Sequence, residues 1–218
     1  MNHIDITLYA IVDPMRCGGR PIDVVAQNAM AGGVSAIQYR DKAASTRAMV
    51  EHARELKAAL AGSALPLIIN DRVDVARAVD AQGVHLGQED MHPQDARAIL
   101  GDHAIIGMSV KTREDAGTAP LAWVDYVFIG GVFDTASKYN PTSIGLDGWA
   151  ELAAIIGARK PGLPIGAIAG IDESNVAEVI AAGADGVAVI SAICMAQDVE
   201  EEARCLRHLI EYERKSQA

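Results

Sequence analysis

The chain has 218 residues, 50% of them hydrophobic but only 4% aromatic, enough for one sizeable core built mainly from small and branched aliphatic side chains. A formal net charge of −10 excludes a general nucleic-acid binder, which needs a positive surface, but leaves room for a local cation cluster around an anionic ligand. The start "MNHIDITLYAIVDP" lacks a basic region followed by a long apolar stretch, and no segment reaches the roughly 18 apolar residues of a membrane span, so a soluble cytoplasmic protein without a membrane partner is expected.

In chain order, the first apolar run bounded by turn residues is "LYAIVD" (8–13), and the helical pattern "PIDVVAQNAMAGG" follows it. "SAIQYR" (35–40) leads to "TRAMVEHARELKAALAG", "PLIIND" (66–71) to "VDVARAVDAQG", and "GVHLG" (83–87) to "HPQDARAILG". "IIGMS" (105–109) precedes a weaker pattern with a short helix near 113–119, and "DYVFIGG" (125–131) precedes "LDGWAELAAIIGA". "PIGAIAG" (164–170) is followed by "ESNVAEVIAAGADG", and "GVAVIS" (186–191) by the amphipathic closing helix "VEEEARCLRHLIEYERK". Several helices end in Gly and re-enter a strand at once, with a beat of roughly 20 to 30 residues. A helix between consecutive strands makes the strands parallel, and eight such units predict an α/β fold, a closed (βα)8 TIM barrel forming a single domain over residues 1–218. An open doubly wound sheet is the alternative, but no GxGxxG follows the first strand.

Barrel enzymes gather their chemistry at the C-terminal ends of the strands, and polar residues accumulate there in this sequence. Gln38, Arg40 and Lys42 have period two and share one face of an extended strand. With Lys138 they read either as a receptor for a phosphate-rich group or as a solvated strand end with ordinary salt bridges. Asp71 and Asp90 follow neighbouring strands and could converge on one Mg²⁺, which accepts carboxylate oxygens alongside waters or phosphate oxygens. Equally, each precedes a helix and could simply cap it. The loop "DTASK" offers Thr135, Ser137 and Lys138, and "AGIDESN" and "ISAI" add backbone N–H groups, which reads as a phosphate cradle or as two tight turns. His85, within "GVHLG", reads as a hydrogen-bonded wall residue. Cys17, Cys194 and Cys205 lack CxxC spacing or a paired histidine, which supports neither a disulfide framework, a zinc site nor a thiol nucleophile.

The ordered set "LYAIVD", "AIQYRDK", "LIINDRVDVA", "GVHLGQED", "IGMSVKT", "GGVFDTASK", "AIAGI" and "GVAVISAI" resembles the thiamine phosphate synthase family, from about Leu8 to Ile193. The resemblance implies a barrel that joins hydroxymethylpyrimidine diphosphate to hydroxyethyl-thiazole phosphate, or its carboxylated form, giving thiamine phosphate and pyrophosphate with Mg²⁺. It implies that Gln38, Tyr39, Arg40, Asp41 and Lys42 form the pyrimidine diphosphate strand, with Gln38 near the pyrimidine. Asn70 would help bind the diphosphate, and Asp71 and Asp90 would be the metal ligands. Ser109 and Lys138 would join Arg40 and Lys42 in acting on the diphosphate. Thr135, Ala136 and Ser137 would hold the thiazole phosphate, with Gly170, Ile190 and Ser191 closing its cradle. The partners implied are small phosphorylated substrates; the oligomeric state stays open, a homo-oligomer included.

The sequence also departs from the family's pattern. Gly131 and Asp134 stand where prolines are common, Ser137 replaces a threonine, Ala169 replaces the first glycine of a GG pair, and Asp41 replaces a glutamate. Three rival functions are a related thiazole tautomerase, a non-catalytic phosphate sensor and a Schiff-base aldolase using Lys138 or Lys42. The first needs an acid/base where Lys111 stands, and a lysine of ordinary pKa is a poor base. The second has no use for two converging carboxylates, and the third needs a desolvated lysine.

Overall fold

The computed structural model describes residues 2–134 and 143–217. Eight strands, β1 (Leu8–Val12), β2 (Ala36–Tyr39), β3 (Leu67–Asn70), β4 (Gly83–Leu86), β5 (Ile105–Val110), β6 (Tyr126–Gly130), β7 (Ile165–Ile168) and β8 (Val187–Val189), close into a barrel in chain order. Neighbours pair in parallel throughout, and β8 returns to β1 through Leu8↔Val187 and Ala10↔Val189. The expected (βα)8 barrel is therefore the observed fold.

The connecting helices lie outside the ring: α1 (Ile22–Ala31), α2 (Thr46–Ala59), α3 (Val73–Val79), α4 (Pro93–Leu100), α5 (Arg113–Thr118), α6 (Gly145–Arg159) and α7 (Val176–Ala181). After β8 come a single turn, α8 (Ser191–Cys194), which the sequence pattern did not announce, and the long α9 (Val199–Ser216). Local chemistry starts several of them. Ser45 caps α2 by accepting from Ala48 N at 3.3 Å, and Thr112 and Asp115 form a reciprocal capping box at α5. α9 buries Val199, Ala203, Leu206 and Ile210, spaced along one face, and packs on α1 and α7. Its approach to α1 depends on Gly32, where a Cβ would lie 2.4 Å from Glu200 O.

Strand alternation sorts the apolar side chains into two layers. Leu8, Ala10, Val12, Ile37, Tyr39, Leu67 and Ile69 face the helices, while Tyr9, Ile11, Ala36, Ile68, Tyr126, Phe128 and Ala188 fill the barrel interior. At the N-terminal end, Ile4 and Ile6 belong to the inner layer, and buried Asp125 accepts from Asn2 N at 2.7 Å, Ile106 N at 2.9 Å and Arg97 Nη2 at 2.8 Å. That end is closed, which leaves the opposite mouth for chemistry.

Few aromatics do much of the interior filling. The Tyr9 ring meets Phe128 edge-on at 5.0 Å, and Tyr126 meets Phe128 edge-on at 5.5 Å. Glycines on facing strands make the room: a Cβ on Gly107 would sit 2.0 Å from Tyr126 Cζ, and one on Gly166 would sit 2.3 Å from Phe128 Cε1. Gly107→Ala therefore overpacks the interior and is expected to cost about 1–3 kcal/mol, read as a lower urea midpoint with an unchanged slope.

Candidate functional site

The strand-end residues converge as the β2–β5 part of the mouth is built. A cavity of about 490 Å³ is lined by Arg40, Lys42, Asn70 and Asp71 on one side and by His85, Gln88, Glu89, Asp90, Ser109 and Lys111 on the other. Arg40 N donates to Val12 O at 3.0 Å, so the β1–β2 ladder still guides the chain just past Tyr39. The Arg40 guanidinium is ion-paired with buried Asp13, which directly follows β1. Asp13 also accepts from Met15 N at 3.0 Å, so the carboxylate that orients Arg40 is itself fixed.

Asp71 takes its place through an unusual backbone. Its N–H donates to His85 O at 2.8 Å, prolonging the β3–β4 ladder, and its φ is +61°, a left-handed conformation that aspartate tolerates. Lys42 Nζ binds its carboxylate, and Asp90 lies against it. Asp90 is held in turn by Gly87 N, which donates to Oδ2 at 2.6 Å. Neither aspartate is a helix cap: the N-cap of α3 is Arg72, which makes no side-chain cap, and α4 is capped by His92, whose Nδ1 accepts from Gln94 N at 3.2 Å. The capping alternative open in the sequence is thus settled against.

Burial raises the Asp71 carboxyl above the usual range; Lys42 opposes the shift, and the neighbouring Asp90 adds to it. A carboxylate in this position is stabilised by any further cation that both oxygens can share. Among the described residues no group of three or more His, Cys, Asp or Glu could hold a metal; what Asp71 and Asp90 offer is two neighbouring carboxylates. Such a set fits Mg²⁺, which keeps several positions for waters and phosphate oxygens.

The other residues expected at the site distribute themselves unevenly. Gln38 points into the interior, with its Nε2 donating to Tyr9 Oη at 3.0 Å. Tyr39 turns outward, its hydroxyl 3.0 Å from His52 Nδ1 on α2, and Asp41 accepts from Ala43 N and Ala44 N at 2.9 Å each, so both side chains serve the β2–α2 connection. Asn70 and Ser109 line the cavity. Gly170, at φ +67°, lies where a Cβ would be 2.5 Å from Asp134 O, so the β6 and β7 loops touch backbone to side-chain position. Ser191 follows Ile190 at the start of α8 and lines a separate depression of about 520 Å³ rimmed by Asp172, Glu173, Asp198, Glu201 and Glu202. Thr135, Ala136, Ser137 and Lys138 lie outside the described residues.

Sequence reasoning missed Asp13, Tyr9 and Tyr126. Asp13 carried the same signal as Asp71, a carboxylate directly after an apolar run. The tyrosines carried none, because an aromatic in a strand reads as core. His85, expected as a hydrogen-bonded wall residue, is one, with Nδ1 3.1 Å from Tyr126 Oη and Nε2 2.9 Å from Ser109 Oγ.

A closed parallel barrel whose C-terminal mouth sets lysines and an arginine around paired carboxylates defines an enzyme of the barrel class equipped for a polyanionic substrate. Comparison with known proteins narrows this. A model of the thiamine monophosphate synthase family matches residues 8–193. The thiamine-phosphate synthase of Agrobacterium fabrum is 49% identical over 212 residues, spanning 97% of this chain and 96% of the relative. That of Xanthobacter autotrophicus is 47% identical over 210 residues, 93% and 94% of the two chains. The solved thiamine phosphate pyrophosphorylase from Pyrococcus furiosus superposes with a TM-score of 0.83 at 37% identity, covering 96% of this chain and 97% of that one. The chain belongs to the thiamine monophosphate synthase family, and it is a transferase. No helix among the described residues is long and apolar enough to cross a membrane.

One departure from the family pattern has a structural cost. Ala169 sits at φ +97°, where an L side chain is strained and glycine is not. Ala169→Gly is expected to stabilise the fold by about 1 kcal/mol, measured as a raised urea midpoint.

Proposed function

We propose that this chain condenses hydroxymethylpyrimidine diphosphate with hydroxyethyl-thiazole phosphate, or the carboxylated form of the latter, into thiamine phosphate and pyrophosphate. The observation that carries the reading is the gathering of Arg40, Lys42, Lys111 and the Asp71–Asp90 pair around one cavity. Family membership supports the pairing of substrates, and the local cations suit small phosphorylated ligands despite the chain's net charge of −10. Residues 1–218 act as one unit in this reading, and three free cysteines support a reducing, cytoplasmic setting.

Each side chain has a distinct task. Arg40, aimed by Asp13, and Lys42 bind the diphosphate, with Asn70 and Ser109 as neutral partners. Lys138 is assigned to the diphosphate as a further cation. Gln38 faces the pyrimidine. Asp71 and Asp90 would hold Mg²⁺, which when bound supplies neutralising charge to the departing pyrophosphate. Thr135, Ala136 and Ser137, with Gly170, Ile190 and Ser191, hold the thiazole phosphate. The bond between the pyrimidine methylene carbon and the diphosphate oxygen breaks, and its electron pair leaves with pyrophosphate. The electron-rich aminopyrimidine carries the positive charge until the thiazole nitrogen captures the carbon. Orientation and charge placement accomplish this without a strong base. The thiazole tautomerase reading needs such a base where Lys111 stands, and these relatives lend it no support.

Pyrophosphate release from the two substrates is expected with Mg²⁺ and not with excess chelator. Asp71→Asn and Asp90→Asn are each expected to lower kcat on the order of 10²-fold while remaining folded. Mg²⁺ with inorganic pyrophosphate should raise the melting temperature of the unmodified protein and of neither variant. Release that ignores chelator, or full activity in both variants, would overturn the metal-ligand roles; no release under either condition would overturn the reaction.

A further inference from the structure

β8 ends at Val189, opposite Ala10, while β1 continues to Val12 and Asp13 stays extended beyond it. Odd-numbered residues of β1 face β8, as the bond from Val187 N to Thr7 O at 3.2 Å shows, so the carbonyls of Ile11 and Asp13 point past the end of β8. Two thiols reach them there. Cys194 Sγ on α8 donates to Ile11 O and Cys17 Sγ donates to Asp13 O, each at 3.2 Å. Both cysteines are buried, and the Cys194 thiol lies against that of Cys17.

The backbones that carry the two thiols are clamped together as well. Arg20 donates through Nε to Cys17 O at 3.1 Å, through Nη1 to Ala196 O at 2.8 Å, and through Nη2 to Cys194 O. One planar fork reaches only neighbouring acceptors, so the two cysteines meet in backbone as well as in side chain, as a disulfide requires. The hydrogen bond from Cys194 and the nearby Arg20 cation hold the Cys17 thiol below its usual range, against the opposing effect of burial. Cys194, the donor in that bond and itself buried, is pushed well up. Cys17 is therefore the sulfur that ionises first and Cys194 the one that follows. Their cover is thin: Gly18, Gly19 and Met195, the next residues in the chain, are exposed, and neither glycine has an atom within 4 Å of where a Cβ would stand.

We propose that Cys17 and Cys194 are a redox site: a peroxide joins them in a reversible disulfide, and that bond weakens the hold of the enzyme on the diphosphate. The Cys17 thiolate attacks one peroxide oxygen, the O–O bond breaks, and hydroxide leaves to take up the proton that Cys17 gave. Cys194 sulfur then attacks the resulting sulfenic acid, the S–S bond forms, and water leaves with the Cys194 proton. Each sulfur is oxidised by one electron, the peroxide is reduced to two waters, and a dithiol reverses the step by thiol–disulfide exchange. In this reaction Cys17 Sγ loses the hydrogen it gives Asp13 O and turns to Cys194, so the residue that aims Arg40 loses a tether while its turn is tied to α8. This consequence rests on the role given to Arg40 under Proposed function; formation of the bond does not.

The test oxidises the full chain with a small excess of hydrogen peroxide and maps its peptides by mass spectrometry without reductant. A linked Cys17–Cys194 peptide is expected, and dithiothreitol should remove it. Calorimetric titration with inorganic pyrophosphate and Mg²⁺ should show about tenfold weaker binding to the oxidised protein, restored by dithiothreitol. Exposed Met15 and Met195 also oxidise, but a dithiol does not reverse their sulfoxides. Cys17→Ser and Cys194→Ser keep a donor for each carbonyl and should bind pyrophosphate like the reduced protein, with or without peroxide. Cys205→Ser, which removes the third thiol, should respond to peroxide as the unmodified protein does. If no linked peptide forms in the unmodified protein, the proposal is overturned whether or not the variants fold. A linked protein that binds pyrophosphate as before overturns it too. Absence of pyrophosphate release from the two substrates by the reduced protein overturns the reaction instead, while the peptide map and the titration still decide the redox site.

Discussion

Closure of β8 onto β1 leaves every second strand side chain no route out of the ring, and the molecule's organisation follows from how that interior is filled. Toward the N-terminal end the filling is apolar, with Ile4, Ile6 and Phe128 among it, and the Asp125 network closes that end. Toward the C-terminal end the inward positions are Gln38, His85 and Ser109, bridged by the Tyr9 and Tyr126 hydroxyls. The rings of these tyrosines belong to the core and their oxygens to the polar layer beneath the cavity. The floor of the cavity is therefore a packed layer, which gives the groups above it fixed positions at little cost in order.

The charged groups above that floor obey a different rule. Arg40 is held by Asp13 and Lys42 by Asp71, so the two cations that the proposed function assigns to phosphate already have anionic partners. Asp13 is buried and tethered to the turn after β1, and its role is to aim Arg40. Asp71 is different: burial and Asp90 both disfavour its charge, and Lys42 alone compensates among these neighbours. In the proposed function, Asp71 and Asp90 would hold a divalent ion that supplies the charge these carboxylates lack, and Lys42 would then be available to a phosphate.

Much of this was legible before any coordinates. Each of the eight apolar runs holds one strand, because a run flanked by Gly, Pro or a helical pattern has little else to become in a parallel sheet. That Arg40, Lys42, Asn70, Asp71, Asp90 and Ser109 gather around one cavity was legible from their places at or just past the ends of those runs. What escaped depended on tertiary geometry. Whether Asp71 caps a helix or meets Asp90 turns on a single left-handed φ, which no pattern reports for a non-glycine residue. Tyr39 and Tyr9 look alike in sequence, yet one faces α2 and the other the barrel axis, because the register of closure decides the face. The extra turn α8 is too short to have a period.

Gly107 does not line the cavity, yet its missing side chain is what admits the Tyr126 ring, and the hydroxyl on that ring links Tyr9 to His85. Positions 107 and 126 therefore cannot vary independently. A carbon gained at the first overpacks the interior unless the ring at the second is given up, and with it the link that joins the two ends of the polar layer. The layout of the polar layer thus reaches an inert position on the fifth strand, which is coupled to it through packing alone.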